Sequence, residues 1–249
     1  MGLALTLSPR PLPPPLMPHP GPRPQSSFST ITDWAELVED IQRMADMGLD
    51  AYKFSIAWSR ILPNGTGEVN QAGIDHYNKV IDALLAKGIE PYVTLYHWDL
   101  PQALEDKYSG LLDRQIICGN DYAAYAKTCF KASGDRVKRW ITFNEPHTVA
   151  VQGYDSGIHT LGCCSVLRHL YCKQGSSGTE PYIVAHNIIL AHAMVSDIYR
   201  KKYKAEQNGE VGMLLDVIWY EHVSNSTADV ESAKRAQEFQ LGWSVSLTH

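Results

Sequence analysis

Apolar side chains recur at steps of three and four along Trp34, Leu37, Val38, Ile41 and Met44, which predicts an amphipathic helix with Asp33 capping its start and Gly48 its end. The run from Asp50 to Trp58 then reads as a strand, and Pro63-Asn64-Gly65 supplies turn chemistry. The same order returns: Ile74, Tyr77, Val80, Ile81, Leu84 and Leu85 line a helix closed by Gly88, and Pro91 to Tyr96 is a buried strand. A third round runs from a helical pattern over Ile116 to Ser133, ended by Gly134, into a short strand from Arg139 to Phe143. After a loop rich in Gly, Ser and Cys between Gly153 and Gly178, Pro181 to Lys204 is helical in pattern, Val211 to Trp219 is a strand, and Thr227 to Gly242 is helical again.

Short apolar strands alternating with helices imply crossover units and a parallel sheet. An eight-stranded barrel typically takes about 250 residues, and the segment from Ser29 to His249 shows about four strand-helix units. The expected fold class is therefore α/β, a partial (β/α)8 TIM barrel with about four of its eight units. Residues 1–28 hold nine of the chain's 14 prolines and are expected to form an unfolded tail, with 29–249 as the partial barrel.

Composition narrows the function classes. With 44% hydrophobic and 20% charged residues the chain has the make-up of a globular protein. A net charge of -5 offers no footprint for nucleic acid, and no stretch is apolar enough to span a membrane. The apolar run Gly2 to Leu7 is short for a secretory signal, and Pro9 interrupts it. Five cysteines favour free thiols, although Cys164 and Cys172 lie eight apart in one loop. The triplets Asn64-Gly65-Thr66 and Asn225-Ser226-Thr227 are glycan acceptors only in an exported chain, and such triplets also arise by chance. Localisation stays open.

Functional side chains of parallel α/β folds gather where strands give way to loops. Three such ends are polar and aromatic here: Tyr96-His97-Trp98-Asp99-Leu100-Pro101, Thr142-Phe143-Asn144-Glu145-Pro146 and Trp219-Tyr220-Glu221-His222. Sugars present an array of hydroxyls and an apolar ring face, which Asn, His, Glu and aromatic plates match. Cleaving a glycoside takes two carboxyl groups, about 5 Å apart for retention or roughly 6.5 to 9.5 Å for inversion. Glu145 is the first candidate.

The motif Thr142-Phe143-Asn144-Glu145-Pro146 resembles the acid/base motif of glycoside hydrolase family 1. The likeness extends to Tyr52-Lys53-Phe54-Ser55-Ile56-Ala57-Trp58-Ser59-Arg60-Ile61, to Tyr96 through Gln102 and to Tyr182 through Gly242, and plant β-glucosidases fit best. The resemblance implies that Glu145 is general acid and then base, that Asn144 and His97 bind the glycone, and that Trp98 shapes the pocket. It further implies that Arg60 orients a nucleophile, that Cys164 and Cys172 form a disulfide, and that the history is secretory or vacuolar. The implied partner is a small β-glucoside, with no cofactor and no metal; His147, His159 and His169 show no compact ligand spacing.

The departures bear equally on function. The family's nucleophile lies in a Thr-Glu-Asn-Gly motif that these 249 residues lack, and the proline-rich tail stands where a first strand with a sugar-binding glutamine is expected. Cys163 replaces a common arginine, and Tyr220-Glu221-His222 replaces aromatic-Glu-Pro. A shortened or alternatively spliced product is the expectation, inactive alone and prone to self-association through open sheet edges. Blander readings stand beside each residue: Glu145 as an exposed helix start ahead of Pro146, His97 and Trp98 as structural, Arg60 as a surface ion-pair partner. Glu221 as a substitute nucleophile is disfavoured by its place in a loop, and a non-catalytic sugar-binding or interaction remnant is the alternative function.

Overall fold

The computed structural model of the chain describes residues 34–160, 162–165, 172 and 174–242. The proline-rich segment, the Asp33 cap and His169 lie outside the described residues. Four parallel strands, β1 (Ala51–Ser55), β2 (Glu90–Tyr96), β3 (Arg139–Asn144) and β4 (Glu210–Leu214), are hydrogen-bonded in sequence order. Ahead of β1 runs α1 (Trp34–Asp46), and between β1 and β2 lie α2 (Trp58–Ile61) and α3 (Gln71–Ala86). From β2 to β3 the chain passes through α4 (Gln102–Tyr108), α5 (Gln115–Cys118) and α6 (Asp121–Ser133). Beyond β3 come α7 (Pro146–Tyr154), α8 (Glu180–Lys202) and α9 (Lys204–Gln207), and beyond β4 come α10 (Thr227–Gln237) and a π-helical turn at Glu238–Gly242.

Two helix-to-strand joints share one construction. Gly48 and Gly88 take φ +76° and +75°, a conformation open to glycine without a Cβ penalty. Their neighbours Leu49 and Ile89 then donate to the carbonyls of Met44 and Leu84, which ends each helix and turns the chain into a strand. Of the apolar stripe of α1, Ile41 is buried and packs with Val80, Leu84 and Ile89, Leu37 and Met44 are partly buried, and Trp34 and Val38 stay exposed. The main core lies between the sheet and α3, α6 and α8, and its largest side chains include Trp58, Trp140, Tyr122, Tyr125 and Phe130.

Buried tyrosines on α6 reach back to the strand ends. Tyr122 Oη donates to the carbonyl of Thr142 at 2.5 Å, and Tyr125 Oη sits 2.9 and 2.8 Å from the carbonyls of Ile56 and Leu95, donating to one at a time. The carboxyl-terminal edge of the sheet is thereby held from behind.

Several element boundaries differ from the sequence reading. β1 stops at Ser55, and Trp58 opens the short helix α2, because its backbone N–H is taken by the Asp99 carboxylate at 3.2 Å and not by a strand partner. The helix expected over Ile116 to Ser133 breaks at Asn120, which adopts φ +59°. β4 ends at Leu214, five residues before Trp219, so Trp219-Tyr220-Glu221-His222 belongs to an exposed stretch and not to a strand end. A strand paired on one side only loses its ladder as soon as the neighbouring chain turns away, and β3 turns away at Asn144.

Candidate active site

The ends of β2 and β3 converge on one cluster. Glu145 follows β3 directly, caps α7 and takes the left-handed conformation φ 50°, ψ 65°. Its N–H donates to Leu214 of β4 at 2.8 Å, and its carbonyl accepts the first helical bond, from Val149 at 3.0 Å. Pro146 at the first helical position suits the start of α7 without wasting a donor. The carboxylate makes no capping bond to its own helix.

Asn144 is fully buried, and its side-chain and main-chain oxygens both accept from neighbours. Lys53 Nζ on β1 donates to Asn144 Oδ1 at 2.5 Å, and Trp98 Nε1 donates to the Asn144 carbonyl at 3.0 Å. That leaves Asn144 Nδ2 buried without a protein partner.

His97 is exposed at the end of β2, and Trp98 is half-buried beside it with φ +69°, a rare conformation for a bulky residue and one that gathers at functional sites. Asp99 makes the turn: its carboxylate accepts the His97 N–H at 3.1 Å and the Trp58 N–H at 3.2 Å, tying β2 to the start of α2. Burial raises the Asp99 pKa, while those backbone donors pull it back. Burial lowers the His97 pKa, and the Lys53 charge lowers it further against the opposing pull of Glu145 and Asp99. A neutral imidazole keeps one donor and one acceptor for a hydroxyl. The His159 ring stands 5.0 Å from the Trp98 indole and the His97 ring 5.6 Å from it.

Lys53, Asn144, Glu145, His97 and Trp98 are thus brought to one place. Arg60 is not among them: it lies on α2, and its charge is felt by His76 and Tyr77 of α3. Glu221 is exposed, seven residues past Leu214, and accepts from Trp219 Nε1 at 2.6 Å. No motif assigns Lys53 a role; its mark in the sequence is a charge inside the otherwise apolar run Tyr52 to Phe54. Asp216 was hidden by the overlong fourth strand; it accepts from Thr148 of α7 at 2.9 Å and so sits by the first turn after Glu145. Nothing in the sequence marked His159.

Cys164 and Cys172 are joined in a disulfide, and Cys129 and Cys163 are buried free thiols. No group of three or more His, Cys, Asp or Glu among the described residues is arranged to hold a metal ion. No helix among them is long and apolar enough to cross a membrane.

Parallel strands here deliver a carboxylate, an amide and an imidazole to one edge, and the family model for glycosyl hydrolase family 1 matches residues 29–248. The chain belongs to that family, and its sheet and helices are part of a (β/α)8 barrel. Beta-glucosidase 34 of Oryza sativa subsp. japonica is 82% identical over 213 residues, covering 86% of this chain and 41% of the relative. Beta-glucosidase 40 of Arabidopsis thaliana is 67% identical over 227 residues, covering 87% of this chain and 44% of the relative. The crystal structure of a rice β-glucosidase superposes with TM-score 0.83 at 68% identity, covering 89% of this chain and 48% of that one. The chain therefore spans less than half the length of the relatives it matches.

Proposed function

We propose that these residues form the acid/base half of a retaining β-glucosidase site acting on small β-D-glucosides. In this reading Glu145 protonates the departing glycosidic oxygen and then deprotonates the attacking water. Asn144 and His97 hold glycone hydroxyls, and Trp98 forms a wall. The observation that carries the proposal is the convergence of Glu145, Asn144, His97 and Trp98 where β2 and β3 end, with Lys53 and Trp98 both bonded to Asn144. A variant of a rice β-glucosidase 67% identical to this chain has been captured in a covalent complex with Glc, which supports a double displacement.

Double displacement requires a second carboxylate facing the first, and removing the nucleophile deletes the covalent step. The 249 residues contain no Thr-Glu-Asn-Gly motif. We therefore propose that this polypeptide by itself turns over no glycoside and associates through the outer edges of β1 and β4. Incubation of the purified chain with a nitrophenyl β-glucoside tests this: release should match buffer, and no glycosyl mass should be added. Release that Glu145→Gln abolishes would mean that the chain supplies its own second carboxylate.

A further inference from the structure

From Leu215 to Ser226 the chain leaves β4 and runs without regular structure to the start of α10. Asn225-Ser226-Thr227, at the end of this stretch, has the pattern of an N-glycan acceptor, and all three residues are exposed. Ser226 Oγ is already engaged, accepting from the Asp229 N–H at 3.2 Å, so the triplet is presented on a fixed turn ahead of the helix. Val223 nearby is 91% exposed and Trp219 72%, so a branched sugar on Asn225 would extend over surface and not into core.

The other triplet is placed differently. Asn64 is exposed, but Gly65 is buried, its carbonyl accepts Trp58 Nε1 at 3.0 Å, and a Cβ on it would lie 2.4 Å from Leu104. Thr66 is half-buried. A glycan at Asn225 is compatible with the folded surface, whereas the Asn64 triplet is partly built into the core. Independently, the Cys164–Cys172 disulfide belongs to an oxidising lumen or an extracellular space, the setting in which such triplets are used.

We propose that Asn225 carries an N-linked glycan. The amide Nδ2 of Asn225 forms a bond to the anomeric carbon of a lipid-pyrophosphate-linked oligosaccharide and loses one proton. The bond from that carbon to the pyrophosphate oxygen breaks, and the lipid pyrophosphate leaves with the electron pair.

The test is expression of the full chain behind a cleavable secretory leader in yeast, followed by peptide N-glycosidase in 18O water and peptide mass spectrometry. Transfer precedes folding, so a chain that folds poorly still reports. The expected result is 18O-labelled aspartate at position 225, lost in Asn225→Gln and in Thr227→Val and kept in Ser226→Ala. An unmodified Asn225 peptide from the translocated chain overturns the proposal.

Discussion

Lys53 Nζ donates to Asn144 Oδ1 at 2.5 Å, joining an edge strand to the buried amide that precedes Glu145. One cation thereby sets which way the amide faces and raises the local positive potential. Removing it has two separable effects, on the amide and on the neighbouring imidazole.

Lys53→Met should raise the His97 pKa. The Lys53 charge disfavours the imidazolium, second only to burial, while Glu145 and Asp99 favour it. Titration of the His97 ring by NMR in the parent and variant chains measures this. An unchanged or lower pKa would place Lys53 away from the imidazole in solution.

Glu145→Gly should leave the chain at least as stable as the parent. Glu145 sits at φ 50°, where a side chain costs roughly 1–2 kcal/mol, while glycine loses about 0.5–1 kcal/mol more backbone entropy on folding. The net gain is on the order of 0.5 kcal/mol, read from denaturant unfolding. A loss above about 1 kcal/mol would mean that the carboxylate stabilises the fold and is not held against strain for function.

Strands β2 and β3 were legible in the sequence because both are buried on two faces, so their apolar runs are nearly continuous. Glu145 was legible because Pro146 and Asn144 bracket it at a strand end. The end of β4 was not: Leu215 to Tyr220 keeps an apolar character after pairing has stopped, and composition does not report where a partner strand turns away. Arg60 and Lys53 differ in a way only three dimensions reveal, since α2 carries Arg60 toward α3 while β1 delivers Lys53 to Asn144. The contact between His159 and Trp98 spans a loop and a strand end, and no periodicity encodes it.

Acidification should weaken the fold through His192. This side chain is buried behind β3, its Nδ1 2.7 Å from Thr142 Oγ1, and burial lowers its pKa below 6.5. Between the folded and unfolded values the unfolded chain binds more protons, so stability is full above about pH 7 and falls as pH drops through that window. His76 and His97 are shifted the same way and add to the slope. Urea midpoints between pH 7 and 5 should therefore fall less steeply in His192→Gln than in the parent; equal slopes would remove His192 from the effect.

The role of Glu145 is tested most directly in a complete barrel, made by placing residues 29–242 of this chain in the corresponding span of the rice relative that is 82% identical. Hydrolysis of an alkyl and a dinitrophenyl β-glucoside is then compared in that barrel and in its Glu145→Gln form. Loss of a general acid should slow the alkyl glucoside by about 10²–10⁴-fold, and the dinitrophenyl glucoside, whose leaving group needs no proton, far less in its bond-breaking step. An equal loss of kcat/KM for both substrates, or no loss for either, would contradict the assignment of Glu145 as the proton donor.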